Sequence, residues 1–323
     1  MTDTDAQSRK LQFEAATQGA GFCFALDTTL IEISGTDRAS FLHNLCTADI
    51  KSLPVGEGCE LFFTDVRGRT IGYGWVIAEN DSLVVTTEPG QADTILSHLD
   101  RYLIRENVQL FDRTAVWQQA VLCGARAEAI VENEWNIRLG SLDFSHAHGT
   151  IGTIDVHCGR IPFYGVPGFT IRTARDDRET VAKQLELCAE ECDASILEFL
   201  RIRTGTPRFG VDITDANLPQ EIDRDRQAIS FNKGCYLGQE TVARIDALGQ
   251  VQQLLRRLQI HTEDAIPSPG TMIEHEEKSV GRITSACQSP VDALVFALGF
   301  VRRPQANPGT RLHCSSGDVD VLE

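Results

Sequence analysis

Three short β-rich runs, residues 59–64, 71–77 and 83–87, are divided by the turn-formers Arg67-Gly68 and Asn80-Asp81. Nothing else in the chain narrows its fold as much. Ahead of them Thr29-Leu30-Ile31-Glu32-Ile33 reads as a strand, and Gly35-Thr36 opens a helix carrying Phe41, Leu42 and Leu45 on one face. Behind them Ile95, Leu96, Leu99 and Leu103 mark an amphipathic helix, and Val108 to Phe111 returns to strand. Strand, helix, three strands, helix, strand predicts an α+β unit built on an antiparallel sheet.

A second set of strands is expected at 115–123 and 150–156, separated by an irregular stretch over about 132–149. Pro167-Gly168 precedes another at Phe169-Thr170-Ile171-Arg172. Two helices follow over roughly 177–191 and 194–204, the second with Asp193 as N-cap and Gly205 as its stop. From Thr206 to Gln239 the chain is rich in Pro, Gly and Asp without clean periodicity, and such a stretch inside a compact protein usually carries function. After about residue 246, strand-like runs (Leu254 to His261, Val280 to Ala286, Ala293 to Val301) alternate with Pro- and Gly-rich turns, which predicts a small β-barrel over 246–323. The expected architecture is α+β: a disordered tail over 1–20, two sub-domains with antiparallel sheets over 21–245 (about 21–113 and 114–245, consecutive or intertwined), and the barrel.

At 323 residues the chain is too long for one ordinary core, which agrees with this division. Its formal charge of −16 argues against direct nucleic-acid binding, which needs Lys and Arg to neutralise phosphates. No apolar run is long enough to span a bilayer, and the acidic opening Met1-Thr2-Asp3-Thr4-Asp5 is unlike a secretory signal, so a cytoplasmic protein with no membrane partner is expected. The ten cysteines are scattered and include no Cys-x-x-Cys pair, so no local zinc or iron–sulfur motif is present. His146 and His148 with Asp143 resemble a metal cluster, but in a polar loop they read as solvated, and no metal is expected.

Cys235 is the most informative single residue. It follows Lys233-Gly234, so a cation and a permissive backbone lie beside a thiol, and nearby positive charge favours the thiolate. Gly238 adds a second permissive position, and Gln239-Glu240 adds polar groups able to cap a helix or orient the thiol. A buried structural cysteine in a Gly-containing turn is the other reading of the same residues.

The full string Lys233-Gly234-Cys235-Tyr236-Leu237-Gly238-Gln239-Glu240 resembles the signature of the YgfZ branch of the folate-binding aminomethyltransferase superfamily. Leu200 to Asp212, Leu218-Pro219-Gln220-Glu221, Val280 to Ala286, Ala297 to Val301 and Ile33 to Leu42 are similar to other parts of that superfamily, so the likeness covers nearly all of the chain after residue 20. It implies a three-domain ring with a tetrahydrofolate-type ligand in a central hole. It also implies a function in folate-dependent assembly or repair of iron–sulfur clusters, indirectly affecting tRNA modification, with iron–sulfur proteins or assembly factors as partners. On this resemblance Cys235 is the working thiol, Lys233 tunes it, and Gly234, Tyr236, Gly238, Gln239, Glu240 and Arg244 build its loop. Glu221 takes the place of the carboxylate that binds the pterin, a role suited to paired charge-assisted hydrogen bonds. Phe209 is placed to stack on the ligand or to fill the core. Arg203 is placed to pair with Asp212 or Glu221, or to face solvent.

Two departures bear on activity. Tyr73 falls where the transferases keep an acidic residue, and a phenol with a reference pKa of about 10 does not replace a carboxylate at neutral pH. Gly249-Gln250-Val251 replaces a segment whose arginine serves the transferase folate site. The alternative function, a folate-dependent aminomethyl- or methyltransferase or a demethylase, is weakened by both.

Overall fold

The protein was analysed as a computed structural model that describes residues 3–25, 28–249, 251–262, 265–292 and 294–323. Gln250 lies outside the described residues, as does Ala293 at the start of an expected barrel strand.

The chain begins with helix α1 (Asp3–Gln18) and strand β1 (Gly21–Ala25). The expected disordered tail over 1–20 is therefore corrected for its described residues. Phe13 and Ala16 are buried, and the Phe13 ring meets Phe199 edge-on at 5.6 Å, so tertiary contact fixes a helix that its polar composition does not advertise.

The predicted strand–helix–three strands–helix–strand unit is present as β2 (Thr29–Ser34), α2 (Arg38–Leu45), β3 (Gly58–Thr64), β4 (Thr70–Ala78), β5 (Ser82–Thr87), α3 (Ala92–Asp100) and β6 (Gln109–Asp112). Its strands form an antiparallel sheet in the order β3-β4-β5-β2-β6. Both faces are covered, so the strands are apolar at nearly every position, and the period-two alternation of side chains divides them between two cores. Ile31, Leu61, Phe63, Val76 and Val85 pack under α2 and α3. Leu30, Phe62, Tyr73, Trp75 and Ile77 face the other way, toward the rest of the protein.

The second sheet is built from β1, β7 (Trp117–Cys123), β8 (His146–Ile151), β9 (Ile154–Ile161), β10 (Gly168–Ala174) and β11 (Glu190–Glu191), in the order β11-β1-β7-β10-β9-β8. The chain thus contributes its first strand to one sheet, builds the other, and returns. A short helix α4 (Ala127–Ala129), continued by a π-turn, and helix α5 (Arg178–Leu185) cover the outer face with Phe22, Leu122, Phe169 and Ile171. Residues 146–149, expected to be irregular, are strand because β9 supplies their hydrogen-bond partners. The helix expected over 177–191 stops at Leu185, and residues 190–191 instead pair with β1.

Helix α6 (Ala194–Thr204) has the predicted ends. The Asp193 side chain accepts from Ser195 N at 2.8 Å, and Gly205 closes it at a left-handed φ of 82°. It touches α1, β1 and the barrel. An irregular stretch with helices α7 (Asp225–Ala228) and α8 (Gln239–Leu248) leads to the barrel strands β12 (Gln253–His261), β13 (Met272–His275), β14 (Lys278–Gln288), β15 (Val295–Arg302), β16 (Arg311–Cys314) and β17 (Gly317–Val321). These close in the order β12-β15-β14-β13-β16-β17 around Leu258, Ile273, Ile283, Val301 and Val319. The architecture is two antiparallel-sheet α+β sub-domains and a closed C-terminal barrel.

Replacing Phe13 by Ala removes the aromatic contact that docks α1. A loss of roughly 3 kcal/mol, within the range for large-to-small core changes, is expected as a lower urea midpoint with an unchanged m-value.

Candidate functional site

The inward faces of the two sheets do not meet everywhere. Between them and α6 lies a cavity of about 270 Å³, close to the lower end of the range for small-molecule sites, about 300 Å³. Tyr73 and Trp75 of β4 line one side, and Phe163 and Tyr164, after β9, line another. Trp75 and Phe163 lie 5.2 Å apart between ring centroids, so the wall is largely aromatic.

One end of the cavity is charged. Arg208 Nε donates to Glu88 Oε2 at 2.7 Å, and its Nη1 donates to Glu198 Oε2 at 3.3 Å. Arg201, buried on α6, donates to Glu198 through Nε at 2.7 Å, to Asp212 Oδ2 at 2.8 Å, to the Thr206 carbonyl and to Ser285 Oγ of β14. The two cavity carboxylates differ. Burial raises the Glu88 carboxyl above its ordinary value against the pull of Arg208. Burial opposes ionisation of Glu198 too, but hydrogen bonding to Arg201 and the charges of both arginines hold it below the ordinary value. Two carboxylates with opposed tendencies beside a planar guanidinium form a polar end to an aromatic slot, suited to a flat heterocycle with ring N–H donors.

Sequence reasoning did not single out Glu88, Glu198 or Arg208. The carboxylate it chose, Glu221, does not line the cavity. Glu221 is buried, and its Oε2 accepts from Asn217 Nδ2 at 2.9 Å and Gln253 Nε2 at 3.2 Å, bracing the short turn Pro219–Ile222 against β12. Phe209 is half-buried against the core containing Phe62 and Tyr236, and also lies outside the cavity lining. Arg203 is exposed on α6, and Arg201, two residues earlier on the opposite side, pairs with Asp212 instead. Tyr73 does line the cavity, but its hydroxyl donates to the buried Glu60 at 2.6 Å. Arg224 also pairs with Glu60, and burial followed by the Glu60 charge raises the phenol well above its ordinary pKa.

The loop 230–238 is clamped against the first sheet. Ser230 N donates to Thr47 O, Leu237 N to Asn44 O, and Thr64 Oγ1 to Leu237 O. Gly238 has φ of 84° and lies so close to β3 that an added Cβ would stand 2.6 Å from the Asp65 carbonyl, so only glycine fits there. It opens α8, where Gln239 is half-buried and Glu240 and Arg244 are exposed. The loop turns its side chains to two sides: Lys233 and Tyr236 point inward, while Gly234 and Cys235 are exposed.

Lys233 therefore does not turn to the thiol. Its ammonium donates to the carbonyls of His43, Cys46 (2.9 Å) and Ala48, using all three N–H groups on the C-terminal end of α2, with its Nζ 4.9 Å from the Tyr236 ring centre. The expected tuning of Cys235 by Lys233 is corrected on this geometry: the lysine caps a helix. Cys235 is an outward thiol on a loop that Lys233 and Tyr236 anchor from behind. It lies outside the cavity lining, although Tyr236 and Tyr73 share one apolar cluster.

His146 and His148 also differ from expectation. They lie two apart on β8 and face His157 of β9 and Glu79 at the end of β4, in the seam between the sheets.

Comparison with known proteins decides the family. The model for the GCVT N-terminal domain matches residues 7–233, well over half of the chain. The chain belongs to this family. It is 29% identical over 291 residues to a putative chloroplastic transferase of Arabidopsis thaliana, covering 86% of this chain but only 64% of that protein. It is 24% identical to the tRNA-modifying protein YgfZ of Aliivibrio fischeri, over 85% of this chain and 80% of the relative. Among solved structures, glycine cleavage system aminomethyltransferase T from Bartonella henselae shares the fold at a TM-score of 0.81 and 16% identity, covering 98% of this chain and 88% of that one. Together these make the chain a YgfZ-like member of the glycine-cleavage T-protein superfamily. Among the described residues no helix is long and apolar enough to cross a membrane.

Two outcomes follow from the site. Lys233→Met leaves three carbonyls without their shared donor and is expected to lower stability by about 1–3 kcal/mol, while the alkylation rate of native Cys235 stays unchanged, as measured with iodoacetamide. Asp225 is raised from 3.8 to about 6 by burial and by the Asp223 and Asp246 charges, and its Oδ1 is buried without a partner. The folded state then holds this proton more tightly than the unfolded state, so stability is lost as pH rises from about 3.8 to 6. Asp225→Asn is expected to raise the urea midpoint at pH 7 and to give little or no gain at pH 4.

Proposed function

We propose that the chain is a tetrahydrofolate-binding accessory protein of the YgfZ type, acting in iron–sulfur cluster assembly or repair and through it on tRNA modification. The observation that carries the folate reading is the aromatic cavity with Glu88, Glu198 and Arg208 at its charged end. The ring head of a folate offers a flat face to Trp75 and Phe163 and N–H donors to the carboxylates. Ligand binding moves in this reading from Glu221, Phe209 and Arg203 to those residues. Cys235 remains the working thiol, supported by its exposure on a loop held rigidly at both ends. Iron–sulfur proteins or their assembly factors are the partners this reading assigns to that surface. All ten cysteines are free, which suits a reducing compartment such as the cytoplasm.

The competing reading is a folate-dependent aminomethyl- or methyltransferase or a demethylase. The commitment of the Tyr73 hydroxyl to Glu60 speaks against it, because that wall of the cavity offers no carboxylate able to take up a proton.

Calorimetric titration with tetrahydrofolate tests the pocket. One site is expected, weakened about tenfold or more by Glu198→Gln and unaffected by Glu221→Ala; a loss of two good hydrogen bonds supplies that factor. Absence of binding, or sensitivity to Glu221 alone, overturns the assignment. Formation of methylene- or methyl-tetrahydrofolate from a methylated amine would favour the transferase. Cys235→Ala is expected to abolish support of cluster-enzyme activity in cells lacking the native protein.

A further inference from the structure

The strands that wall the central cavity continue past it into the seam where the histidines gather. Thr170 of β10 lines the cavity, and Arg172, two residues on and on the same face, reaches Glu79. His157 lies directly across from Arg172 on one side and from His148 on the other, so all three project from the same face of the sheet. His146 joins them from the neighbouring position on β8. Glu79 approaches from the opposite sheet, just beyond β4.

The distances suit coordination. His157 Nε2 stands 3.3 Å from Glu79 Oε1, and one donor atom from each of Glu79, His148 and His157 lies within 4.8 Å of the other two. Two ligands on a tetrahedral ion with bonds of about 2.0–2.1 Å are separated by roughly 3.3 Å. The buried pair already has that separation, and His148, being exposed, can swing inward to complete it.

The hydrogen bonding of the cluster is incomplete as it stands. His146 Nδ1 and His157 Nε2 share one hydrogen bond at 2.8 Å, while His146 Nε2 is buried without a partner. If His157 Nε2 carries the proton, it donates to His146 Nδ1, and the remaining His146 N–H faces the backbone carbonyls of Ala78 and Glu57. If His146 Nδ1 carries it, the His157 lone pair accepts that hydrogen bond, with Glu79 Oε1 standing 3.3 Å from the same nitrogen. A cation between His157 and Glu79 takes up that lone pair in the second arrangement.

We propose that Glu79, His148 and His157 bind a divalent transition-metal ion of the zinc class, bridging the two sheets at the seam beside the cavity. Two imidazoles and one carboxylate are a common ligand set for such ions, and the fourth position opens to water on the His148 side. Binding exchanges the His146–His157 hydrogen bond for a coordination bond. Arg172 holds the Glu79 carboxylate in place, and its charge opposes the ion, so affinity is lower than in an all-histidine site. The ion adds a further tie between the sheets beside the Glu79–Arg172 pair and the His146 N to Gly56 O hydrogen bond.

Metal-stripped full-length protein carrying Cys235→Ser, which removes the exposed thiol as a competing ligand, is titrated with Co²⁺ and with Zn²⁺. One equivalent of Co²⁺ is expected to give the visible absorption of a four-coordinate nitrogen–oxygen site, displaced by Zn²⁺. His148→Ala, a surface change, is expected to weaken binding about 100-fold or more while leaving the metal-free unfolding midpoint unchanged. Zn²⁺ should raise the unfolding temperature of the parent and not of His148→Ala. His157→Gln serves as the second variant and should behave alike in binding. Equal affinity in parent and His148→Ala, or no stoichiometric binding, overturns the proposal.

Discussion

The buried guanidinium of Arg201 ties helix α6 to the loop that follows it and to the barrel. Through Glu198 it stays with its own helix, through Asp212 and the Thr206 carbonyl it fixes the loop that follows, and through Ser285 it reaches the barrel. Asp212 in turn accepts from Thr284 and from the Arg208 backbone. Such a cluster is stable only when complete, because loss of one partner from a buried pair leaves an uncompensated charge costing about 3–5 kcal/mol. Glu198 is shared with Arg208, so the contacts that join α6 to the barrel also shape the charged end of the cavity. Domain arrangement and the shape of the cavity therefore draw on the same side chains.

Much of this was legible from local pattern. The β-rich runs that become β3–β5, the Asp193 and Gly205 ends of α6 and the turn-rich barrel each follow from residues close in sequence. What was missed depends on distance along the chain. Arg208 and Glu88 are 120 residues apart, and no local pattern brings them together. Helix α1 owes its place to a few buried groups such as Phe13 and Ala16, too few to show as periodicity. Lys233 misled for the opposite reason. Its closeness to Cys235 in sequence suggests contact, whereas the irregular loop turns the thiol outward and the lysine inward, where it reaches back some 185–190 residues to the end of α2. For His146 and His148 in a loop, a spacing of two means little. On a strand it places both on one face.

Tyr73 shows how a cavity wall can change character without changing shape. Its ring keeps the aromatic lining, while the hydroxyl is turned into a buried network with Glu60 and Arg224. The charge of Glu60 is neutralised behind the wall. A neutral surface faces the cavity, and the ionisable groups are left at the Arg208 end. That separation suits holding a ligand more than transforming it.

The placement of β1 has a consequence for biosynthesis. The strand is made before any of the first sheet, yet its antiparallel partner β7 ends at Cys123, and its parallel partner β11 is not complete until Glu191. At roughly 5–20 residues per second, the second partner emerges on the order of ten seconds after β1 leaves the ribosome. β2 through β6 have all their own partners and can fold early, while Phe22 and Phe24 stay on an unpaired strand until β7 emerges and the β11 edge stays open longer. The nascent chain is most vulnerable to mispairing at β1, and the sheet bearing the histidines is the one whose completion must wait.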